Sequence, residues 1–270
     1  NKNFSIKTIH YVAPQVWVWR ENRVKKINKF IEHMLLLFDF EKPYFDKEQV
    51  SSEFVGHPLL EHKEESKIDL NQIIEKNKAI ISIFPGSRIS ELEILTPILL
   101  EFIKLMNTKY KDVKYIFHYN QTYSDLIQSY IKSKDLINCD VISDDKIKSY
   151  ILGKSIFAVA KSGTVSLEIC NKKIPSIILY KMGLINFFIV KMLVKIKFAN
   201  IINISAKEEI IPELIQSNCN PNNIFKFVSD FLDNPDKIRN QVNRTEAIIK
   251  KLKTDQSSTK MAAQSIIKFL

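Results

Sequence analysis

Residues 79–93 decide the fold class and have the sequence AIISIFPGSRISELE. The six residues AIISIF are almost all apolar, which predicts a strand with both faces buried, because polar residues would alternate in a half-exposed strand. The turn FPGSR follows at once, and the apolar spacing from Glu91 to Thr108 predicts a helix. A strand, a short turn and a helix in this order form the repeating unit of a parallel α/β sheet.

The same unit recurs towards the carboxyl terminus. Further strands are predicted at 114–119, 139–142, 156–160 and 175–180. Helices are predicted at 125–131, after the turn that opens 162–171, and at 221–232, 235–251 and 258–270. Because apolar, β-branched runs alternate with helices, we expect a parallel sheet covered on both faces.

The amino-terminal part of the chain carries weaker signals. The patterns predict a strand at 6–12, an aromatic turn at 15–19, a helix at 21–36, and short strands in the apolar run 34–38 and at 54–58. The polar segment HKEESKIDLNQIIEKNK (62–78) is typical of a linker, so we expect a domain boundary near residue 66.

Composition excludes several classes of protein. The 270 residues are 45% hydrophobic and 26% charged, as in globular proteins, and no apolar run reaches the roughly 18 residues that a membrane-spanning helix needs. Five glycines, against about nineteen for average usage, leave no G-x-G-x-x-G dinucleotide loop. Three cysteines without C-x-x-C spacing argue against a disulfide framework and against a zinc site, and they favour a reducing cytoplasm.

The net charge of +10 predicts an acidic partner. A nucleic acid is one alternative, but the lysines are dispersed and no recognition motif is present, so we expect no nucleic-acid partner. A nucleotide diphosphate and an anionic membrane are the other two alternatives, and each has a candidate segment.

The loop after the strand 79–84 is the first candidate. Gly86 lets the backbone approach a ligand closely, Ser87 is placed to cap the following helix, and Arg88 adds a positive charge suited to phosphate. The alternative is an ordinary helix start with a solvated arginine.

The loop after the strand 156–160 repeats this logic. Residues 162–164 offer hydroxyl and N–H donors to a diphosphate, and Glu168, one helical turn after Thr164, suits the hydroxyls of a ribose. The alternative is a capping box with Ser162 or Thr164 as the cap. No Walker loop can be written. Two such loops at the carboxyl ends of strands in one domain favour a nucleotide-diphosphate site.

The segment 183–199 is the third candidate. Its apolar residues include Phe187 and Phe188, and its lysines are Lys191, Lys195 and Lys197. An apolar helix flanked by lysines suits a membrane surface. The alternative is a core helix whose lysines reach out to water.

Seven segments in one order carry a resemblance over nearly the whole chain. They are HYVAPQVWVWRENR (10–23), FEK (40–42), FVGHPLLE (54–61), FPGSRISELE (84–93), SGTVSLE (162–168), YKMGLINFFIVKMLVKIKFANIINI (180–204) and PELIQ (212–216). They resemble the lipid-A-disaccharide synthase family, and the first of them is highly specific to it.

The resemblance implies a GT-B glycosyltransferase of lipid A and lipopolysaccharide biosynthesis, with two Rossmann-like domains. The family transfers 2,3-diacylglucosamine from UDP to 2,3-diacylglucosamine 1-phosphate with inversion, giving lipid A disaccharide 1-phosphate and UDP without a metal or other cofactor. Residues 1–65 would then be the carboxyl-terminal part of the acceptor-side domain and 66–245 the complete UDP-sugar domain. Residues 246–270 would form a helix that packs back on the first domain.

Matched residue by residue, the resemblance places UDP binding at Gly86, Ser87, Arg88, Ser162, Gly163, Thr164, Glu168, Asn203, Glu213 and Gln216. It also implies a surface for acyl chains and an anionic membrane, to which we assign Trp17, Trp19, Phe187, Phe188, Lys191, Lys195 and Lys197. We therefore expect a cytoplasmic protein bound peripherally to the inner face of a Gram-negative inner membrane.

The sequence departs from the family in two places and omits one segment. Residues 38–41 read FDFE where the family has L-P-F-E, and Ile202 stands where a proline is typical. The family's GEASGD-like loop and presumed catalytic base have no counterpart here, so we expect an N-terminally truncated chain whose catalytic residue is unknown. The alternatives are completion by a homodimer or a complementing N-terminal fragment, a non-catalytic remnant or split subunit that only binds UDP-sugar, and a GT-B enzyme for other UDP-amino sugars.

Overall fold

The computed structural model describes residues 6–19, 23–61, 78–119, 121–183, 187, 192 and 196–270, the side chains of Trp19 and Gln121 apart. The chain divides into two compact units. Unit 1 contains residues 1–62, 185–197 and 248–270, and unit 2 contains residues 63–184 and 198–247. The expected boundary near residue 66 lies outside the described residues, so the domain limits stay predictions.

Unit 1 is built on a three-stranded parallel sheet. Its strands, in spatial order, are β1 (Ile9–Tyr11), β2 (His33–Leu36) and β3 (Ser51–Phe54). Its helices are α1 (Val16–Trp19), α2 (Arg23–Ile27), α3 (Lys42–Asp46) and the carboxyl-terminal α11 (Ser258–Phe269), with 3₁₀ turns at Asp39–Glu41 and Pro58–Leu60. The core of unit 1 includes Met34, Leu36 and Phe45, all fully buried.

The predicted helix over 21–36 is wrong. Helix α2 ends at Ile27, and the residues His33–Leu36 form β2, which lies between β1 and β3. All four residues of β2 are buried, and a central strand covered on both faces favours an uninterrupted apolar run. The apolar run predicted as a strand at 34–38 therefore outweighs the helical spacing before it. The predicted aromatic turn is the single helical turn α1.

Buried polar contacts tie helix α11 to this sheet. The Nδ1 atom of His33 lies 2.8 Å from Ser51 Oγ, and its Nε2 atom lies 2.9 Å from Ser265 Oγ. Ser265 Oγ also donates a hydrogen bond of 2.6 Å to Glu53, and the imidazole stacks on Phe269 at 4.7 Å between ring centroids. Within unit 1, therefore, the last helix packs against β2 and β3.

Unit 2 is built on a six-stranded parallel sheet with the spatial order β6-β5-β4-β7-β8-β9. Along the chain its strands are β4 (Ala79–Phe84), β5 (Val113–His118), β6 (Cys139–Ile142), β7 (Phe157–Lys161), β8 (Ser176–Tyr180) and β9 (Glu213–Ile215). Its helices are α4 (Ile89–Lys109), α5 (Ser124–Lys132), α6 (Asp145–Lys154), α7 (Val165–Asn171), α8 (Ile201–Ala206), α9 (Pro221–Asp233) and α10 (Pro235–Leu252, of which residues 248–252 belong to unit 1), with 3₁₀ turns at Gln121–Tyr123 and Gln216–Asn218.

The alternation of strands and helices predicted for residues 79–270 is confirmed. The strand pattern is strongest in β4 and β5, whose residues Ile81, Ile83 and Phe117 are fully buried. Helix α4 buries its apolar face, including Leu92 and Leu99, in the same core. Three short elements, α6, α8 and β9, were not predicted from the sequence.

The strand order reverses beside β4. Strands β5 and β6 lie on one side of β4, and β7, β8 and β9 lie on the other. In parallel α/β sheets, ligands bind at the carboxyl ends of the strands at such a reversal. At these ends Phe84 of β4 pairs with Ala160 of β7, so the two candidate loops begin side by side.

Hydropathy adds one finding about the helices. Within the described residues, no helix has both the length and the apolar composition that crossing a bilayer requires.

Gln241 of helix α10 gives a test of this packing. Its Oε1 accepts a hydrogen bond of 2.7 Å from Ser176 N, and its Nε2 donates to Ser176 O at 3.0 Å. Gln241→Leu leaves both buried backbone groups unpaired, so we expect the free energy of unfolding to fall by about 1–3 kcal/mol in urea denaturation. Asn240→Leu, at an exposed position of the same helix, is the control and should change it by less than about 0.5 kcal/mol. Equal losses in the two variants would contradict this role.

Candidate functional site

The first candidate loop is folded around the carboxylate of Glu91. Glu91 Oε2 accepts hydrogen bonds from Ser87 N at 2.9 Å and from Arg88 N at 3.3 Å. Gly86 has φ +120, and a Cβ atom there would lie 2.5 Å from Glu91 Oε2. Only glycine fits here, because a side chain would be strained and would collide with the carboxylate.

Ser87 does not cap helix α4, contrary to the expectation. Arg88 occupies the N-cap position and makes no side-chain cap bond, and Glu91 in the first turn accepts the free N–H groups instead. A carboxylate is a strong acceptor of backbone N–H groups, and the positive end of the helix favours it in this position.

The Arg88 side chain lies at the exposed side of this arrangement. It is 79% exposed, and its Nη1 atom lies 3.8 Å from Glu91 Oε1, near the limit for an ion pair. An exposed pair of this length contributes little to stability, so the guanidinium is available to an anion from solution.

The second candidate loop has one anchored residue and two exposed ones. Ser162 is buried, with its Oγ donating to Ala199 O at 2.6 Å and its N–H donating to Leu179 O at 2.9 Å. Gly163 and Thr164 are exposed, and their N–H groups meet no acceptor in the described part of the chain. The alternative of a capping box is not observed, because neither hydroxyl caps helix α7. Glu168 lies in the first turn of α7, as expected.

Lys161, at the end of β7, joins the two loops. Its Nζ atom lies 2.8 Å from Glu91 Oε1 and 5.5 Å from the centre of the Tyr180 ring. Burial alone would raise the pKa of Glu91, but hydrogen bonds from Lys161 and from the N–H groups of Ser87 and Arg88 hold the pKa below its usual value. Glu91 is therefore a fixed anion within the candidate site.

Asn203 and Glu213 hold the chain next to the second loop. Asn203 is fully buried, and both its oxygen and its nitrogen bond residues of the segment 210–213. Glu213 accepts hydrogen bonds from Ala199 N, Asn200 N and Asn203 Nδ2 at 2.7–2.9 Å. Burial raises the pKa of Glu213 in spite of these bonds.

Gln216 plays a similar part at the end of β9. It accepts from Met182 N at 2.8 Å and donates to Met182 O at 3.1 Å. The structure thus brings Asn203, Glu213 and Gln216 to backbone partners, and we now expect them to shape the site, while ligand contact by them stays a prediction.

The residues assigned to a membrane are only partly described. Phe188, Lys191 and Lys195 lie outside the described residues, as does the Trp19 side chain. Phe187 is half-buried and Lys197 is exposed. Trp17 is only 5% exposed and donates from Nε1 to Glu41 Oε1 at 3.2 Å. Because its ring packs inside unit 1, this placement does not support Trp17 as a contact for acyl chains.

A buried network of hydrogen-bonded side chains lies next to the first loop. His118, the last residue of β5, stacks on Phe84 at 4.3 Å between ring centroids. Its Nε2 atom lies 2.7 Å from Ser82 Oγ, which lies 2.7 Å from Ser155 Oγ. Since Ser155 donates to Ile151 O at 3.0 Å, Ser82 must donate to Ser155, and His118 Nε2 must donate to Ser82. The Nδ1 atom is buried and has no partner among the described residues, so a second proton there would be unpaired, and burial favours the neutral imidazole.

Within the described ranges, no three His, Cys, Asp or Glu side chains are grouped to hold one metal ion.

Sequence reasoning missed two residues of the site, Glu91 and Lys161. The signal for Glu91 was its position in the first turn of a predicted helix, where a carboxylate can accept backbone N–H groups. Lys161 gave no such signal, because its partner belongs to a different strand–helix unit of the chain.

Comparison with known proteins identifies the family. The family model described as lipid-A-disaccharide synthetase matches residues 1–267. The chain belongs to the lipid-A-disaccharide synthetase family. The resemblance carried by the seven sequence segments is thereby confirmed.

Two relatives show how much of the family's length is represented. A lipid-A-disaccharide synthase of Coxiella burnetii (strain RSA 331 / Henzerling II) is 36% identical over 239 residues, which are 86% of this chain and 62% of that protein. One from Rickettsia typhi (strain ATCC VR-144 / Wilmington) is 34% identical over 268 residues, which are 97% of this chain and 70% of that protein. The chain thus spans less than two thirds of the Coxiella relative.

A solved structure supports the fold of this family member. The UDP-GlcNAc 2-epimerase from Neisseria meningitidis, crystallised with UDP-GlcNAc, matches with a TM-score of 0.62 at 14% identity, covering 88% of this chain and 62% of that one. At this identity the likeness establishes the fold alone. Together with the two parallel-sheet units, it confirms the predicted GT-B-type α/β fold.

His118 predicts a pH dependence of stability for this lipid-A-disaccharide synthetase family member. Burial, and to a smaller extent the charge of Lys148, lowers the pKa of His118 to about 3. Below the unfolded pKa of about 6.5, the unfolded chain binds a proton that the folded chain does not. The free energy of unfolding therefore falls as the pH is lowered, by up to about 1.4 kcal/mol per pH unit. We expect His118→Gln, whose amide can still donate to Ser82, to flatten this slope between pH 6.5 and 4.5 in urea denaturation.

The control for this measurement is His10→Gln, at an exposed position of β1, which should keep the wild-type slope. Identical slopes for wild type and His118→Gln would show that His118 is not held neutral in the folded protein.

Proposed function

We propose that unit 2 binds the UDP part of a UDP-sugar, as the donor side of a hexosyltransferase of lipid A biosynthesis. One observation carries the proposal. The exposed Arg88 guanidinium and the N–H groups of Gly163 and Thr164, which meet no acceptor among the described residues, stand at adjacent strand ends, where the strand order reverses. A diphosphate needs this combination of a fixed cation and oriented backbone donors.

Family membership supports the choice of reaction. The relatives carry the name lipid-A-disaccharide synthase, and we extend that activity to this chain as a proposal. The donor would be UDP-2,3-diacylglucosamine and the acceptor 2,3-diacylglucosamine 1-phosphate, giving lipid A disaccharide 1-phosphate and UDP with inversion at the sugar carbon.

The residues of unit 2 suit the departure of UDP in that reaction. As the glycosidic bond to UDP breaks, negative charge grows on the diphosphate, and preorganised donors that meet it lower the barrier. We assign this role to Arg88 and to the N–H groups of Gly163 and Thr164, and binding of the ribose hydroxyls to Glu168. The attacking 6-hydroxyl also needs a base, and we assign none of the described residues to it.

Binding of UDP to the full chain tests the proposal. We expect isothermal titration calorimetry to detect UDP binding by wild type, and Arg88→Ala and Glu168→Ala to weaken it at least tenfold. Gly163→Ala is a sharper variant. A Cβ atom at residue 163 meets only Lys161 O, at 4.0 Å, so the fold tolerates alanine, whereas a diphosphate on the adjoining N–H groups would be obstructed.

Gly183→Ala is the matched control, because a Cβ atom there has no neighbour within 4 Å in the described structure. It should keep wild-type affinity and wild-type stability. Equal UDP affinity in wild type, Arg88→Ala and Gly163→Ala, or absence of UDP binding by wild type, would overturn the proposed site.

We further propose that the segment 183–199 holds the protein at an anionic membrane, on the cytoplasmic face of the inner membrane. Diacylated substrates require access to lipid, and the segment combines apolar residues with three lysines. Met192 within it is 78% exposed, which is unusual for a large apolar side chain. A homodimer or a complementing N-terminal fragment stays a prediction.

Vesicle binding tests the membrane proposal. We expect the protein to sediment with phosphatidylglycerol vesicles in a salt-dependent manner, and reversal of Lys191, Lys195 and Lys197 to glutamate to reduce bound protein at least fivefold. Reversal of Lys132, Lys146 and Lys154, which are exposed in unit 2, makes the same charge change and should leave binding near wild type. Unchanged binding and salt dependence after the first set of reversals would exclude this surface.

A further inference from the structure

The ion pair between Lys161 and Glu91 connects the two loops of the proposed site. Lys161 ends β7 and directly precedes the second loop, while Glu91 lies in the first turn of α4, after the first loop. The 2.8 Å between Nζ and Oε1 is the length of a charge-assisted hydrogen bond. The side chains are 20% and 13% exposed, so water and salt screen this pair less than a surface pair.

The carboxylate of Glu91 cannot leave the first loop without disrupting it. Its Oε2 atom accepts both backbone hydrogen bonds of the turn, and the bend at Gly86 packs directly against its side chain. The fold therefore places one negative charge, in a fixed position, in the loop that we propose to meet a diphosphate.

A fixed anion beside a diphosphate would repel it unless a cation offsets the charge. Arg88 is poorly placed for this task, because its side chain is mostly exposed and lies 3.8 Å from Glu91. Lys161 is well placed, because it bonds the oxygen that the backbone N–H groups leave free. The Tyr180 ring, 5.5 Å away on β8, holds the ammonium group from another side by a cation–π contact.

We propose that Lys161 is a positioning residue of the UDP site, which acts through Glu91 by cancelling its charge. The proposal rests on the proposed function, since it concerns the same site. It differs from direct binding of phosphate by Lys161, in which Glu91 would be incidental. It also differs from a purely structural bridge, which would affect every ligand of the site equally.

A double-mutant cycle separates these roles. The variants Lys161→Met, Glu91→Gln and the double variant are titrated with UDP and with uridine, which lacks the diphosphate. We expect Lys161→Met to weaken UDP binding at least tenfold and uridine binding less than twofold. Glu91→Gln in the same chain should restore UDP affinity to within about threefold of wild type, because the charge that Lys161 cancelled is gone.

Two controls accompany the cycle. Lys237→Met removes one positive charge from unit 2, where Lys237 pairs with Asp230 at 2.6 Å, and it should leave UDP affinity unchanged. Lys161→Arg keeps the charge and should retain most of the affinity. If Lys161→Met fails to fold, the double variant still decides the question, because it has no Glu91 carboxylate left without a cation in a partly buried position.

The outcomes are distinct. UDP binding that is lost in Lys161→Met and not restored by Glu91→Gln, or a folded double variant that does not bind UDP, would overturn the proposal in favour of direct contact. Equal losses for UDP and uridine would reduce Lys161 to a structural bridge. Wild-type affinity in Lys161→Met, with binding lost in Arg88→Ala, would overturn this inference and leave the proposed function standing. Failure of wild type to bind UDP would overturn both.

Discussion

The pairing of Phe84 with Ala160, at the ends of two neighbouring parallel strands, is the constraint on which the rest of unit 2 depends. Hydrogen bonding between β4 and β7 brings together two turns that are distant in sequence. Everything proposed for the site uses this adjacency, from the Lys161–Glu91 ion pair to the placement of the two loops at neighbouring strand ends. The buried side-chain network of His118 contacts the same region, because the His118 ring stacks on Phe84.

The fold of unit 2 could largely be predicted from the sequence, for a physical reason. A strand such as β4, buried on both faces, is apolar apart from Ser82, and long helices such as α4 show their spacing clearly. The short elements β9 and α8 could not be predicted. They are held by hydrogen bonds that Glu213 accepts from Ala199 N, Asn200 N and Asn203 Nδ2, and such tertiary contacts leave no periodic pattern. In unit 1, the helical spacing of residues 21–36 gave a wrong prediction for β2, because the burial of this central strand outweighs the helical pattern.

The candidate site divides in the same way. The two loops could be located from strand, turn and helix order alone, and the family resemblance added their chemistry. What the sequence concealed is the use made of each polar group. Ser87 looked like a cap, yet Glu91 accepts the N–H groups, and Ser162 looked like a donor to ligand, yet its hydroxyl bonds Ala199. A hydrogen bond depends on distances of a few tenths of an ångström, which residue types alone do not specify.

The self-contained hydrogen bonding of the first loop has a consequence for how an anion would be recognised. Because Glu91 accepts the N–H groups of Ser87 and Arg88, these two donors are not offered to an incoming phosphate, and the positive charge that the loop presents is the long, exposed guanidinium. In the proposed site the backbone donors are the N–H groups of Gly163 and Thr164. In the proposed site the loop with Arg88 therefore recognises the charge of a ligand, and the loop with Gly163 recognises its shape. Substitution of Arg88 would alter the rate at which an anion associates, whereas substitution of Gly163 would alter which anion stays bound.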